Sequence, residues 1–191
     1  GVGADEFPVV YSGNIGMKQG LDILLDGAAA LETRGNSKKV RIVIAGQGAA
    51  KDALVEKAES LGLKSVIFLP LQDYDKYQLM LAEAKMCLVT QQKGTGQFFF
   101  PSKMLSLLSN ACPVLTVADE GTELVNALEG ASFGVNVEPD DPEQLADLLE
   151  DWSTRLETLD EMGRSGLEWV KRFDREKVLG DWEKTLESIS R

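Results

Sequence analysis

Short apolar runs alternate with amphipathic stretches along most of this 191-residue chain. VVYSGN (9–14) is β-rich and closes on Gly13-Asn14. VRIVIAG (40–46) is continuously apolar, the pattern of a strand covered on both faces. VIFLPL (66–71), MCLVT (86–90), CPVLTVA (112–118) and FGVNVEP (133–139) complete a set of six predicted strands. The first helix is predicted from about Lys18 to Arg34, with Leu21, Leu24, Leu25, Ala28, Ala29 and Leu31 on one broad face and Gly35-Asn36 as its stop. Further helices are predicted over 49–61 and 75–85, behind Lys103, from a Thr122 cap to about Leu128, and from Asp141 with Pro142 in its first turn. Such alternation predicts an α/β fold: a doubly wound parallel sheet of six strands, right-handed crossovers, and helices on both faces. Beyond about residue 150 the pattern becomes helical without strands. Trp152, Leu156, Leu159, Met162, Leu167, Trp169, Val170 and Phe173 form one stripe, and Asp174 can cap a final helix carrying Val178, Trp182, Leu186 and Ile189. These helices can pack back on the sheet, or the last can present its face to a partner.

Composition narrows the function. The apolar fraction of 43% suits one globular domain, and no apolar run approaches the roughly 18 residues of a membrane span. The N-terminus GVGADEFPVV carries no basic segment followed by a long apolar one, so no signal peptide is read there. A net charge of -11 argues against a nucleic-acid partner. Cys87 and Cys112 fall in apolar segments and are expected to be buried free thiols, which suits a reducing, cytoplasmic setting. The chain has no histidine, which excludes Ser-His-Asp and Cys-His catalysis and imidazole-based zinc sites.

In doubly wound sheets ligands bind outside the carboxyl ends of the strands, where the strand order reverses. Glycine and polar residues concentrate at that end: Gly13-Asn14-Ile15-Gly16, Gly46-Gln47-Gly48, Leu71-Gln72-Asp73, the 91–103 loop, and Asp119-Glu120-Gly121-Thr122-Glu123. The richest stretch is TQQKGTGQFFFPSKMLSLLSNACPVLTV (90–117). There Gly94, Thr95 and Gly96 allow backbone to approach a ligand, and Lys103 is expected one turn into the following helix, together a seat for a phosphate. A flexible loop with a surface lysine is the plainer alternative. AGQGAAKD lacks the third glycine of a dinucleotide fingerprint, and no phosphate-binding loop of the G-x-x-x-x-G-K-[ST] type occurs.

The ordered set GNIG…KQGLD, VRIVIAGQG, VIFLPLQD, the 90–117 segment and EGTELVNALEGASFGVNVEPDDPEQLADLL resembles the nucleotide-sugar-binding half of a family 4, GT-B-fold glycosyltransferase. The PSK…PV variant resembles the subgroup that builds bacterial exopolysaccharide, O-antigen or colanic-acid-type units. The resemblance covers about residues 8–150. It implies a Rossmann-like donor-binding domain over 1–191, with 151–191 as a C-terminal helical extension. It also implies that an N-terminal acceptor domain is absent from this chain and that the last helix crosses back to that domain. It implies a nucleotide-diphosphate sugar as substrate, no cofactor, no bound metal, a retaining outcome, and a lipid-linked or growing polysaccharide acceptor. The full-length protein would then be cytoplasmic or lie at the inner face of a membrane.

Residue by residue, the resemblance places the donor phosphates at Asn14, Gly16 and Lys18 and at Gly94, Thr95, Gly96 and Lys103. Relatives carry an arginine and a lysine where this chain has Asn14 and Gln19. Two glutamates of the family pattern fall near Phe98 and on Ser106. Ribose contacts are therefore expected from Ser106, Lys103 or backbone, and the base near Leu71, Gln72 and Tyr74. Tyr77 could serve there or simply pack its helix. Phe98, Phe99 and Phe100 are expected as core or interdomain packing rather than a stacking platform. Glu123 could meet the donor sugar or only stabilise its helix start. No paired carboxylates stand as acid and base. This half is thus expected to stabilise the leaving diphosphate electrostatically. A non-catalytic nucleotide-binding or regulatory domain, and one half of a sugar-nucleotide epimerase, are the alternatives.

Overall fold

In the computed structural model, which describes residues 2–3, 5–35, 39–96 and 100–189, six strands form one parallel sheet. They are β1 (Phe7–Asn14), β2 (Val40–Gln47), β3 (Val66–Leu69), β4 (Met86–Thr90), β5 (Val114–Val117) and β6 (Gly134–Val137). Their order is β3-β2-β1-β4-β5-β6, so the winding reverses between β1 and β4. The helices are α1 (Asp22–Thr33), α2 (Lys51–Ser60), α3 (Tyr74–Glu83), α4 (Lys103–Ser109), α5 (Glu123–Asn126), α6 (Pro142–Trp152), α7 (Leu156–Val170) and α8 (Arg175–Ile189). This is the doubly wound α/β sheet expected from the alternating pattern.

Alternation of side chains along each strand splits the core into two clusters. On one face Val9, Tyr11, Ile42, Ile44, Met86 and Leu88 meet Leu24 and Leu25 of α1, Leu54 of α2 and Leu145 of α6. On the other, Cys87, Val89 and Val114 meet Leu81 of α3, Met104 of α4 and Leu124 of α5. Each fully buried Leu or Ile contributes about 1.5–3 kcal/mol, so both faces are held mainly by burial. α7 reaches both clusters, with Leu159 and Met162 in the first and Trp169 against the second.

Two expectations are corrected. The cysteines are buried but not free: Cys87 at the start of β4 and Cys112 just before β5 form a disulfide, their Cα atoms 6.2 Å apart. Cys87 pairs in register with Val114, two residues beyond Cys112, so the sheet itself brings the sulfurs together. The argument from free thiols to a reducing compartment therefore falls. The first helix does not begin at Lys18. A 3₁₀ turn over Met17–Gln19 ends at Gly20, whose φ of 58° is left-handed, and α1 starts at Asp22. A side chain on Gly20 would come within 2.9 Å of Gln92 Cα, so the chain breaks where it passes the loop after β4. Among the described residues no helix is long and apolar enough to cross a membrane.

Candidate functional site

The site grows from the reversal of strand order. β1 pairs with β2 along its whole length, from Phe7↔Val40 to Asn14↔Gln47. With β4 it pairs only at Val9↔Met86 and Val10↔Cys87. Beyond Val10 the β1–β4 ladder ends, and such a reversal is where a doubly wound sheet forms its crevice, at the carboxyl ends of the strands.

One wall is the β1 loop. Ile15 is buried, donates its N–H to the Gln47 carbonyl at 2.8 Å, and accepts from the Ala50 N–H at 3.0 Å. That fixes the loop on β2 and α2. Asn14 and Lys18 are exposed. The Gly16 N–H, a candidate phosphate donor, is taken by Gln19 Oε1 at 3.1 Å. The glutamine standing where relatives have a lysine thus folds back over its own loop. A Cβ on Gly16 would lie 2.8 Å from Gln19 Oε1 and 2.9 Å from Asn14 Nδ2, so these two side chains close over the glycine.

The opposite wall is the β4 loop. The Gln92 N–H donates to the Lys18 carbonyl at 2.9 Å, which ties the two walls together. Gly94, with φ of 77°, turns the chain and donates its N–H to Asp119 Oδ2 at 2.6 Å. The Thr95 N–H and hydroxyl both donate to the Gln92 carbonyl, at 3.0 and 2.7 Å. Gly96 is buried against Thr122, where a Cβ would come 2.6 Å from Thr122 Cγ2. The N–H groups of Gly94 and Thr95 are therefore committed within the protein, the first to a carboxylate that occupies the place of an anion. Gln97, Phe98 and Phe99 lie outside the described residues, and Phe100 is half-buried against the second core cluster.

Lys103 is the first residue of α4, not one turn in, because Pro101 precedes it and the Met104 N–H already bonds the Pro101 carbonyl at 3.0 Å. Its ammonium lies 3.8 Å from the centre of the Tyr11 ring. Burial pushes its pKa down from 10.5 to about 7. Tyr11 is buried on β1, and its hydroxyl donates to the Asn14 carbonyl at 2.6 Å. Burial raises the phenol pKa, so it stays a donor. Asn14 and Lys103, 89 positions apart in sequence, are thus joined through one side chain. Sequence reasoning placed Gln19 at the clamp position and Asp119 at the carboxyl end of the sheet but assigned neither a contact, and it missed Tyr11. The available signal for Tyr11 was an aromatic with a polar tip near the carboxyl end of a strand bordering the reversal.

Farther along, the Ser106 Oγ lies 3.4 Å from the Tyr77 hydroxyl, which brings α4 beside α3. At the head of α3, Leu71 and Tyr74 are 63% and 74% exposed, free to face a ligand rather than the core. The Gln72 amide donates to the Pro70 carbonyl at 2.6 Å, and Asp73 caps the helix by accepting from the Lys76 N–H at 3.0 Å. Glu123 is exposed at the start of α5, whose cap is Thr122. On the α1–α6 side of the same edge a cleft of about 440 Å³ is lined by Asp22, Asp26 and Asp140 with Lys93. Lys93 is ion-paired to Asp140, so this cleft is acidic and a poor seat for a diphosphate. The basic groups beside the β1–β4 reversal are Lys18 on the β1 loop and Lys103 at the start of α4. No group of three or more metal-ligating side chains converges among the described residues.

Comparison with known proteins follows the same outline. Residues 2–169 match the family described as glycosyl transferases group 1. A protein described as a colanic acid biosynthesis glycosyl transferase, WcaI of Escherichia coli, is 34% identical over 138 residues, covering 72% of this chain and 33% of WcaI. A glycosyltransferase named WbjE from Pseudomonas aeruginosa is 26% identical over 144 residues, covering 74% of this chain and 34% of its own. The chain thus spans about a third of the length of these curated relatives. Among solved structures, Anabaena Alr3699/HepE in complex with UDP superposes with a TM-score of 0.80 at 20% identity, over 97% of this chain and 50% of that one. The fold is one half of a GT-B architecture, and the chain belongs to the group 1 glycosyl transferases.

Proposed function

We propose that this chain is the donor-binding half of a glycosyltransferase that carries a sugar from a nucleoside diphosphate to a lipid-linked or growing polysaccharide acceptor. The observation that carries the reading is the crevice between β1 and β4, with Lys103 aimed into it from α4 and joined to Asn14 through Tyr11. Such a crevice is where doubly wound sheets take their ligands, and a lysine there meets the charge of a leaving diphosphate. The HepE structures with UDP and with UDP-glucose support the same class of ligand.

In this reading Lys103 contacts the phosphates directly. Asn14 and Lys18 line the β1 wall. Gly16 joins them once Gln19 swings off its N–H, and Gly94, Thr95 and Gly96 shape the β4 wall. Asp119 must yield Gly94 for that loop to donate to a phosphate. The ribose lies by Ser106 and the base by Leu71, Gln72 and Tyr74. Glu123 stands on the side of the donor sugar. Transfer retains the anomeric configuration and uses no metal, as the resemblance implies. The general base and acceptor site belong to an N-terminal domain, so this chain alone binds donor without transferring its sugar.

Calorimetry against UDP-, GDP- and ADP-sugars, with the free nucleosides as controls, tests the reading. One diphosphate class should bind, and its nucleoside should bind at least tenfold more weakly. Equal binding of nucleoside and diphosphate, or none of any ligand, would favour a domain without a donor site. Robust transfer by residues 1–191 alone would overturn the division of labour.

A further inference from the structure

We propose that Tyr11 is a positioning residue for the donor diphosphate: its ring holds the Lys103 ammonium in the crevice, and its hydroxyl fixes the β1 loop at Asn14, so that both walls address the phosphates together. The inference rests on the donor-binding reading above and adds to it a residue that touches no ligand.

The geometry is specific. Lys103 belongs to a helix whose buried residues Met104, Leu107 and Leu108 join the second core cluster, whereas Tyr11 belongs to the first. The two side chains can meet only where the sheet is open. The β1–β4 ladder ends at Val10↔Cys87, one residue before Tyr11. A long cationic side chain reaching into such a gap has many rotamers, and freezing them costs free energy at the moment a ligand binds. A ring 3.8 Å beneath the ammonium settles the choice beforehand. It also supplies a face of negative potential without a full opposing charge. A carboxylate in that place would neutralise the lysine and compete with the phosphate. A ring holds the cation and leaves it free to pair.

The hydroxyl gives the ring its own fixed position. Tyr11 is 1% exposed, and its hydrogen bond to the Asn14 carbonyl, at 2.6 Å, is short. Asn14 is the last residue of β1, after which the chain enters the Gly16 loop. The same side chain that seats the lysine of one wall therefore determines where the other wall leaves the sheet. Ligand contacts on the two walls should then be energetically coupled through Tyr11.

The test is a double-mutant cycle on the 191-residue chain with UDP as ligand and uridine as control, read by calorimetry. Lys103→Met should weaken UDP about tenfold and leave uridine unchanged. Tyr11→Leu should weaken UDP by a similar factor, again sparing uridine. In the Lys103→Met background Tyr11→Leu should cost less than about twofold more, since the seat no longer has an occupant. Tyr11→Phe, which keeps the ring and loses the hydroxyl, should recover the part of the loss that comes from the ring, and the remainder, up to about twofold, measures the hold of the hydroxyl on the Asn14 carbonyl. If Tyr11→Leu unfolds the chain, the Lys103 ε-methylene proton resonances of the unaltered protein decide. They should lie upfield through the ring current of Tyr11, and lose that shift in Tyr11→Ala when the latter is folded. Absence of any upfield shift in the native protein overturns the contact. Full additivity of the two substitutions, with UDP binding intact, overturns this inference and leaves the donor-binding reading standing. Failure of the native chain to bind UDP, GDP or ADP removes both.

Discussion

α7 and α8 begin from the same kind of sequence and end in different surroundings. Both are 15-residue amphipathic helices with an apolar stripe. α7 buries Leu159, Met162, Gly163 and Gly166, and its Trp169 ring lies 4.9 Å from Phe133 of the core. α8 buries nothing: Leu179, Trp182, Leu186 and Ile189 are 50%, 62%, 59% and 76% exposed. The difference is carried by glycine. In α7, a side chain on Gly163 would strike the Ala111 carbonyl oxygen, and one on Gly166 would come 2.7 Å from Leu108 Cδ2. Those two positions are what let α7 lie close against α4 and the turn before β5. The glycine of α8, Gly180, has nothing within 4 Å of where its Cβ would be. An apolar stripe says that a face avoids water. Small residues on the stripe, placed at a crossing, say that the face has been fitted to something.

The comparison breaks most visibly at Gly163. Gly163→Ala should cost about 2–3 kcal/mol in urea unfolding, since backbone of a neighbouring turn must move, and this exceeds the roughly 1 kcal/mol that alanine returns through helix propensity. Because α4 lies beneath α7 and begins with Lys103, the same variant should weaken nucleoside-diphosphate binding. A stability loss under 0.5 kcal/mol would mean that α7 is as loosely held as α8.

The next effect is electrostatic and separates the two helices in a different way. Lys103, at the head of the helix under α7, is half-buried against Tyr11, and desolvation there brings its pKa down to about 7, whereas Lys177 and Lys184 of α8 stand in solvent. In the unfolded chain Lys103 titrates near 10.5. Below pH 7 it is charged in both states and folding bears the whole cost of burying the charge. As pH rises from about 7 toward 10.5 the folded state sheds that proton first, so the cost fades and stability contributed at this site increases. Lys103→Met should abolish that slope. It should also weaken diphosphate binding by about 1–3 kcal/mol, the range for a charge-assisted hydrogen bond. Binding has the opposite pH dependence: a diphosphate needs the ammonium, so affinity should fall above pH 7 with proton uptake visible as a buffer-dependent enthalpy. Affinity flat from pH 6.5 to 9 would remove Lys103 from contact with the phosphates.

Periodicity made most of the fold legible, because it reports directly on burial: all six strands and the helices between them follow from apolar spacing. What periodicity missed involved contacts between segments distant in sequence. The break at Gly20 depends on Gln92 passing overhead. The disulfide depends on the register of β4 against β5. At the site, Lys103 and Asn14 were visible as residue types at strand ends. The contacts that organise them were not, because Tyr11 meets the Lys103 ammonium from a distant helix and donates to the Asn14 carbonyl, Gln19 folds back to accept from Gly16, and Asp119 accepts from Gly94 of another loop. A backbone N–H beside a glycine looks available in sequence. Whether Asp119 already holds it is a fact of the fold.

Gly180→Ala sharpens the comparison by its contrast with Gly163→Ala. With open space around the position, the added methyl meets no neighbour and helix propensity acts alone, favouring α8 by about 0.5–1 kcal/mol. Amide exchange in 176–189 should slow several-fold, while the global melting temperature and nucleotide affinity stay unchanged. A drop in global stability would place a hidden neighbour against this face.

The smallest expected effect is the most telling about α8. Trp182 is the largest side chain on its stripe, and in a docked helix such a residue removed to serine would cost several kcal/mol. At 62% exposure it has little burial to lose, so Trp182→Ser should change global stability by less than about 0.5 kcal/mol. Fast exchange across 176–189 in the unaltered chain, against strong protection in β2, would agree with a helix formed locally and held weakly. Protection of that segment equal to β2 at every protein concentration, together with a loss above about 1.5 kcal/mol in Trp182→Ser, would show that α8 belongs to the domain's own core. Protection that rises with concentration would show instead that the stripe meets a second copy. In that case the distinction between the two helices would lie in what each meets, and no longer in whether it meets anything.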